Sequence, residues 1–157
     1  DKYMRGEENL TAQELNGYVI FNTEKGDCFH CHGTVLFTAN DFFNNAKDTV
    51  FNDPRDRYAV TLNTKDIGAY KATTLRNINL TGPYMHDGRF ATLDDVINFY
   101  SEGLVWSPYV HPLMKKVNDG GVQLTSSEKA DLKAYLLTLT DNYFLTNPDF
   151  SKPAGLK

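Results

Sequence analysis

Residues 26–33 read Gly26-Asp27-Cys28-Phe29-His30-Cys31-His32-Gly33, and both cysteines of the chain fall inside this stretch. Four chemistries use two cysteines at this spacing. A thioredoxin-like redox pair belongs after a strand in a βαβ pattern, whereas here the run follows a helical pattern. A zinc site needs two further ligands. His30, His32, His86 and His111 are available, but no second pair has the tight spacing of a zinc half-site. A disulfide across so short a loop removes little entropy from the unfolded chain. The order C-x-x-C-H fits covalent haem c. Two thiols on one turn of backbone reach the two vinyl groups of one porphyrin, and the imidazole after the second thiol sits under the iron. On that reading Cys28 and Cys31 form the thioethers, His32 is the proximal axial ligand, and His30 points away from the ring. Haem c is favoured, with zinc or a bare redox pair as the rivals.

Working outward, Thr11-Ala12-Gln13-Glu14 has the spacing of a capping box, which predicts a helix over 12–22 with Leu15, Tyr18 and Val19 at helical spacing. Thr92 and Asp95 repeat the signal. Leu93, Val96, Ile97 and Tyr100 then share one face, and Gly103 ends that helix. Thr125 and Glu128 start a third helix over 126–139, with Leu132, Tyr135, Leu136 and Leu139 as its buried stripe. Between residues 33 and 75 the chain reads as mostly irregular. It has turn material at Asn40, Asp41, Asn44 and Asn45, a turn at Asp53-Pro54 and a short strand at Ala59–Leu62. So much irregular chain in a compact domain implies a core filled partly by something other than side chains. A porphyrin supplies such apolar surface. The tail from Asn142, with Asn147-Pro148 and Lys152-Pro153, reads as an extended wrap over the surface.

The chain has 157 residues, 41% hydrophobic and 23% charged, with net charge −4. That suits a single domain with a packed core. There is no basic stripe for nucleic acid and no transmembrane segment. The chain begins at Asp1 with no leader, which reads as a processed, trimmed or fragmentary product. Covalent haem attachment implies an exported, periplasmic protein.

Residues 74–100 read TLRNINLTGPYMHDGRFATLDDVINFY. Downstream of a C-x-x-C-H, this run resembles the bacterial di-haem cytochrome c peroxidase family, and most of all its MauG-like branch. Tyr3-Met4-Arg5-Gly6-Glu7 and the helix from Leu124-Thr125 to Leu139 also look like that family. The likeness is weak between residues 34 and 70, and Ala72-Thr73 stands where the family usually has Val-Pro. The resemblance implies a mainly α, cytochrome c-like domain with long loops around one covalent haem, matching the C-terminal half of a two-domain di-haem protein. It implies an electron-transfer role. The partners would be an N-terminal haem domain, where peroxide reacts, and a redox donor such as a small cytochrome or cupredoxin. A stand-alone mono-haem electron carrier is the alternative.

In that family the position fourteen after the His of the P-Y-x-H-D-G block is the distal ligand, Met in the peroxidases and Tyr in the MauG type. Counting from His86, it is Tyr100. Met114, shortly before the last helix, is the second choice, and Met85 the third. A core aromatic and gap-filling methionines are the plainer readings of these residues. Arg76 and Arg89 are candidate partners for haem propionates, since a guanidinium fork matches a carboxylate, although ordinary ion pairs are as good a reading. His86 is expected to be structural and Asp87 to cap its turn. The resemblance also implies an interdomain calcium ion on the backbone carbonyls of Thr81 and Pro83.

Overall fold

The computed structural model describes residues 1–157 except Pro54, Ala154, Leu156 and Lys157, so the turn expected at Asp53-Pro54 falls partly outside the described residues. In chain order the helices are α1 (Ala12–Phe21), α2 (Phe29–His32), α3 (Tyr58–Thr61), α4 (Leu93–Glu102), α5 (Ser126–Leu137) and α6 (Asn142–Thr146). One antiparallel pair, β1 (Phe42–Phe43) and β2 (Tyr70–Lys71), sets Phe42 opposite Lys71 and Phe43 opposite Tyr70. The protein is mainly α with long loops. Among the described residues no helix is long and apolar enough to cross a membrane.

Helices α1, α4 and α5 begin where their caps place them. Thr11, Thr92 and Thr125 each accept from the backbone three residues on, and the acid at that position reaches back to the cap's own N–H. Two otherwise unsatisfied N–H groups are paired at each start. Gly103 caps the end of α4.

The expected face of α1 needs correction. Its buried residues are Gly17, Ile20 and Phe21, while Leu15 and Val19 are exposed. Gly17 decides the orientation, because a Cβ there would collide with the Asp131 carbonyl and Tyr135 Cβ of α5. The two helices meet backbone to backbone, and the residues flanking that contact turn inward. Burying a side chain the size of Ile20 or Phe21 stabilises by roughly 1.5–3 kcal/mol.

The strand expected at Ala59–Leu62 is instead the helical turn α3. Asp56 Oδ1 accepts from Ala59 N–H at 3.2 Å. Leu62, at φ 55°, donates its N–H to the Tyr58 carbonyl at 2.9 Å and closes the turn. The extended tail is also corrected: α6 and a 3-10 turn, Pro148–Phe150, occupy it. Asp141 caps the first by accepting from Phe144 N–H, and Asn147 caps the second by accepting from Asp149 N–H.

The core is divided. One cluster joins Ile20 and Phe21 of α1, Leu93 and Ile97 of α4, Leu132, Tyr135 and Leu136 of α5, with Tyr84 and Leu124. A smaller one holds Ala46, Phe99 and Leu104. Cys28, Phe37 and Leu75 lie partly buried against the first, and Met85, Tyr100, Val110 and Met114 against the second.

Candidate haem site

The Cys28–His32 turn is anchored to the end of α1. Gly26 N–H donates to the Ile20 carbonyl at 3.1 Å, and Asp27, at φ 57°, turns the chain into α2. His32 N–H donates to the Cys28 carbonyl at 3.0 Å, so both thiols and the imidazole share one helical turn. Both cysteines are free. Burial pushes the Cys28 thiol up to about 12 and Cys31 up to about 11, so both are neutral at ordinary pH.

His32 donates from Nδ1 to the Phe37 carbonyl at 3.0 Å. That bond fixes the tautomer and leaves Nε2 as the basic nitrogen. Burial lowers the pKa of His32, opposed by the backbone of Phe37 and Thr73, and so favours the neutral form that a metal requires. His30 faces elsewhere: its Nδ1 lies 2.6 Å from Asp27 and its Nε2 3.4 Å from Lys115.

Tyr100 projects from α4 toward the same region. Burial, with smaller contributions from Cys31 and Cys28, pushes its phenol up to about 12 against the lowering effect of the bond from Asn45. Desolvation dominates the shifts of Cys28, Cys31, His32 and Tyr100. Yet each keeps some accessible surface. Two thiols and a neutral imidazole on one turn of helix, with Cys28 packed against the apolar side chains of the first cluster, fit a covalently held porphyrin.

Met114 and Met85 lie partly buried in the cluster that holds Tyr100. Asn45 joins two of these candidates, because its Nδ2 donates to Tyr100 Oη at 3.1 Å and to Met85 Sδ at 3.6 Å. The sequence reading took Asn45 for turn material. No local pattern marks a partner 55 positions away.

The remaining candidates are placed as follows. Arg76 makes a forked bond to Asp1, donates to the Val35 carbonyl at 2.8 Å, and lies over the Phe37 ring. Arg89 is committed to Asp48 and Asp87. His86 stacks on Tyr70 at 3.6 Å and lies 3.4 Å from Asp53. Asp87 caps its turn through Arg89 N–H. Burial alone would raise the Asp87 carboxyl, but bonds from Lys47 and Arg89 hold it well below the usual carboxylate range. The side chain of Lys47 is only 3% exposed and pairs with both Asp48 and Asp87. It is a second residue that the sequence did not single out. Thr81 and Pro83 are exposed, and among the described residues neither carbonyl accepts a hydrogen bond.

No family model matches the chain. The cytochrome-c peroxidase IdrP1 of Denitromonas iodatirespirans is 28% identical, over 98% of this chain and 47% of its own length. The methylamine utilization protein MauG of Methylorubrum extorquens is 33% identical, over 88% of this chain and 38% of its own. Among solved structures, a MauG-like protein associated with microbial copper homeostasis superposes with a TM-score of 0.84 at 35% identity, over 97% of this chain and 50% of its own. The chain thus spans about half the length, or less, of the relatives it matches.

Proposed function

The chain belongs to the bacterial di-haem cytochrome c peroxidase and MauG-like family, and we propose that it is the haem c electron-transfer domain of such a protein, its C-terminal half. The observation that carries this reading is the Cys28–His32 turn, on which both thiols share one turn of helix with an imidazole held through Nδ1 by the Phe37 carbonyl. When bound, haem c supplies one-electron redox chemistry.

The residues divide the work. Cys28 and Cys31 would hold the porphyrin covalently. His32 would bind the iron through Nε2, its basicity raised by the bond from Nδ1. Tyr100 is the favoured residue to complete the iron's coordination, where a phenolate would stabilise the ferric state, and Met114 is the second choice. Arg76, beside Phe37, and Arg89 are the arginines available to propionates, at the cost of their present carboxylate pairs. The Thr81 and Pro83 carbonyls offer oxygen ligands for calcium at an interface with an N-terminal haem domain. That domain would be the seat of the peroxide reaction, and this one would pass it electrons from a donor such as a small cytochrome or cupredoxin. The protein would be periplasmic or otherwise exported. By itself the chain is not expected to turn over peroxide.

The test is the visible and near-infrared spectrum of the purified chain, oxidised and reduced, followed by a peroxide assay. Reduced haem c bands, no far-red thioether band and negligible peroxide turnover are expected. A colourless protein, or rapid turnover by this chain alone, overturns the proposal. A second reading, a stand-alone electron carrier ligated by Met114, draws on the partly buried place of Met114 against the same cluster that Tyr100 borders. It predicts the far-red band.

A further inference from the structure

Asn45 sits in a backbone segment with little freedom. The Asn44 carbonyl accepts from His111 N–H at 3.1 Å, and the Ala46 carbonyl accepts from Val105 N–H at 2.8 Å. Ala46 N–H donates to Asn44 Oδ1 at 3.1 Å, and Asn44 Nδ2 donates to the Ile67 carbonyl at 3.0 Å. Ala46 is fully buried and held at φ 61°, a conformation disfavoured for any residue with a Cβ. Met85 is likewise held at φ 71°. Strained conformations persist where the surrounding structure over-determines them, and they gather at functional sites.

What this segment positions is one primary amide between two possible metal donors. Asn45 Nδ2 lies 3.1 Å from Tyr100 Oη and 3.6 Å from Met85 Sδ. The amide carries two N–H groups, so both bonds can be donated at once. The orientation of the amide follows from Met85: a thioether has no hydrogen to give, so an amide oxygen placed there would face a second acceptor.

We propose that Asn45 is a positioning residue that selects the sixth ligand of the iron, holding the Tyr100 phenol in place with one N–H and engaging the Met85 sulfur with the other. The inference rests on the reading of Tyr100 as that ligand. A bond donated to the phenol oxygen favours negative charge there and so strengthens the oxygen as a donor to ferric iron. The bond to sulfur is weaker and engages only one of the thioether's two lone pairs, so it acts by holding the Met85 side chain against the amide. Loss of the amide therefore loosens the phenol and releases the sulfur together.

The experiment compares the haem-loaded chain with Asn45→Leu, Asn45→Ser, Met85→Leu, Asn45→Leu/Met85→Leu and Tyr100→Phe. The readouts are oxidised absorption and electron paramagnetic resonance spectra and the midpoint potential, with helical circular dichroism as a check on folding. The Asn45 variants are expected to lose the wild-type oxidised spectrum, gain the far-red thioether band and shift to a higher potential. The band should vanish in the double variant, and Met85→Leu alone should resemble wild type. Asn45 variants that fold and keep the wild-type spectrum and potential overturn the proposal, as does a thioether band that survives in the double variant. Asn45→Ser, the smaller change, answers the question if Asn45→Leu fails to fold. If Tyr100→Phe leaves the wild-type spectrum unchanged, the ligand reading itself falls, an outcome separate from failure of the Asn45 variants alone.

Discussion

Helices α1, α4 and α5 and the loops between residues 33 and 91 solve the same problem by different means. Each helix starts with the same reciprocal Thr–acid box and ends within a dozen residues. In the loops, regular structure amounts to β1, β2, α3 and isolated 3-10 turns. Phe37, Asn40, Ala46, Leu62, Asn77 and Met85 all take positive φ there, and none of the described residues inside the three helices does. The loops are pinned from a distance instead: Thr38 to the Ala72 carbonyl, Asn44 to the Ile67 carbonyl, Lys47 to Asp87. The difference teaches where each region keeps its stability. The frame keeps it in local caps and one close helix contact. The loops keep it in polar bonds between segments far apart in the chain.

The sharpest way to break this contrast is at the helix contact. Gly17→Val forces a side chain into the Asp131 carbonyl, and the expected loss is about 3 kcal/mol in chemical denaturation. A loss well under 1 kcal/mol would mean that α1 can back away from α5, and that the frame does not depend on their close approach.

On the loop side, Lys47→Met leaves Asp48 and Asp87 without their buried partner. A broken buried pair costs about 3–5 kcal/mol, and about 2 kcal/mol is expected here because both carboxylates are partly exposed and keep Arg89. Hydrogen exchange should speed up around residues 45–48 and 85–89 and stay unchanged in α1 and α5. Uniform acceleration would erase the proposed distinction.

A smaller effect sharpens the frame. Thr125→Ala removes one capping box and should cost about 1 kcal/mol, read as a lowered midpoint in thermal denaturation. Thr11→Ala and Thr92→Ala should behave alike, since their caps have the same geometry.

The smallest effect is with pH. Burial lowers the pKa of His86 and His111 from 6.5. The folded state therefore binds fewer protons than the unfolded state below that value. Their contribution to stability is complete above pH 6.5 and declines as pH falls through their lower folded pKa values. Thermal midpoints should drop on acidification from pH about 8 to about 5, less so in His86→Gln and His111→Gln. A rise on acidification would contradict the sign.

Read alone, the sequence determined the three capped helices, the single backbone turn that carries Cys28, Cys31 and His32, and the shared buried face of Leu93 and Ile97. All of these are written within a few positions of the residues they govern, where backbone geometry alone brings the partners together. It misjudged α3 and α6 because Asp56, just ahead of α3, and Asp141, the cap of α6, hold the first N–H groups without the Thr-x-x-acid signature that marked the others. Only the tertiary structure decided the rest. The face of α1 was set by Gly17 against Asp131, which no periodicity within α1 can show. The roles of Asn45 and Lys47 were set by Tyr100 and Asp87, each dozens of positions away. A side chain's hydrogen-bond partner across the fold is a property of packing, and packing is decided by the whole chain at once.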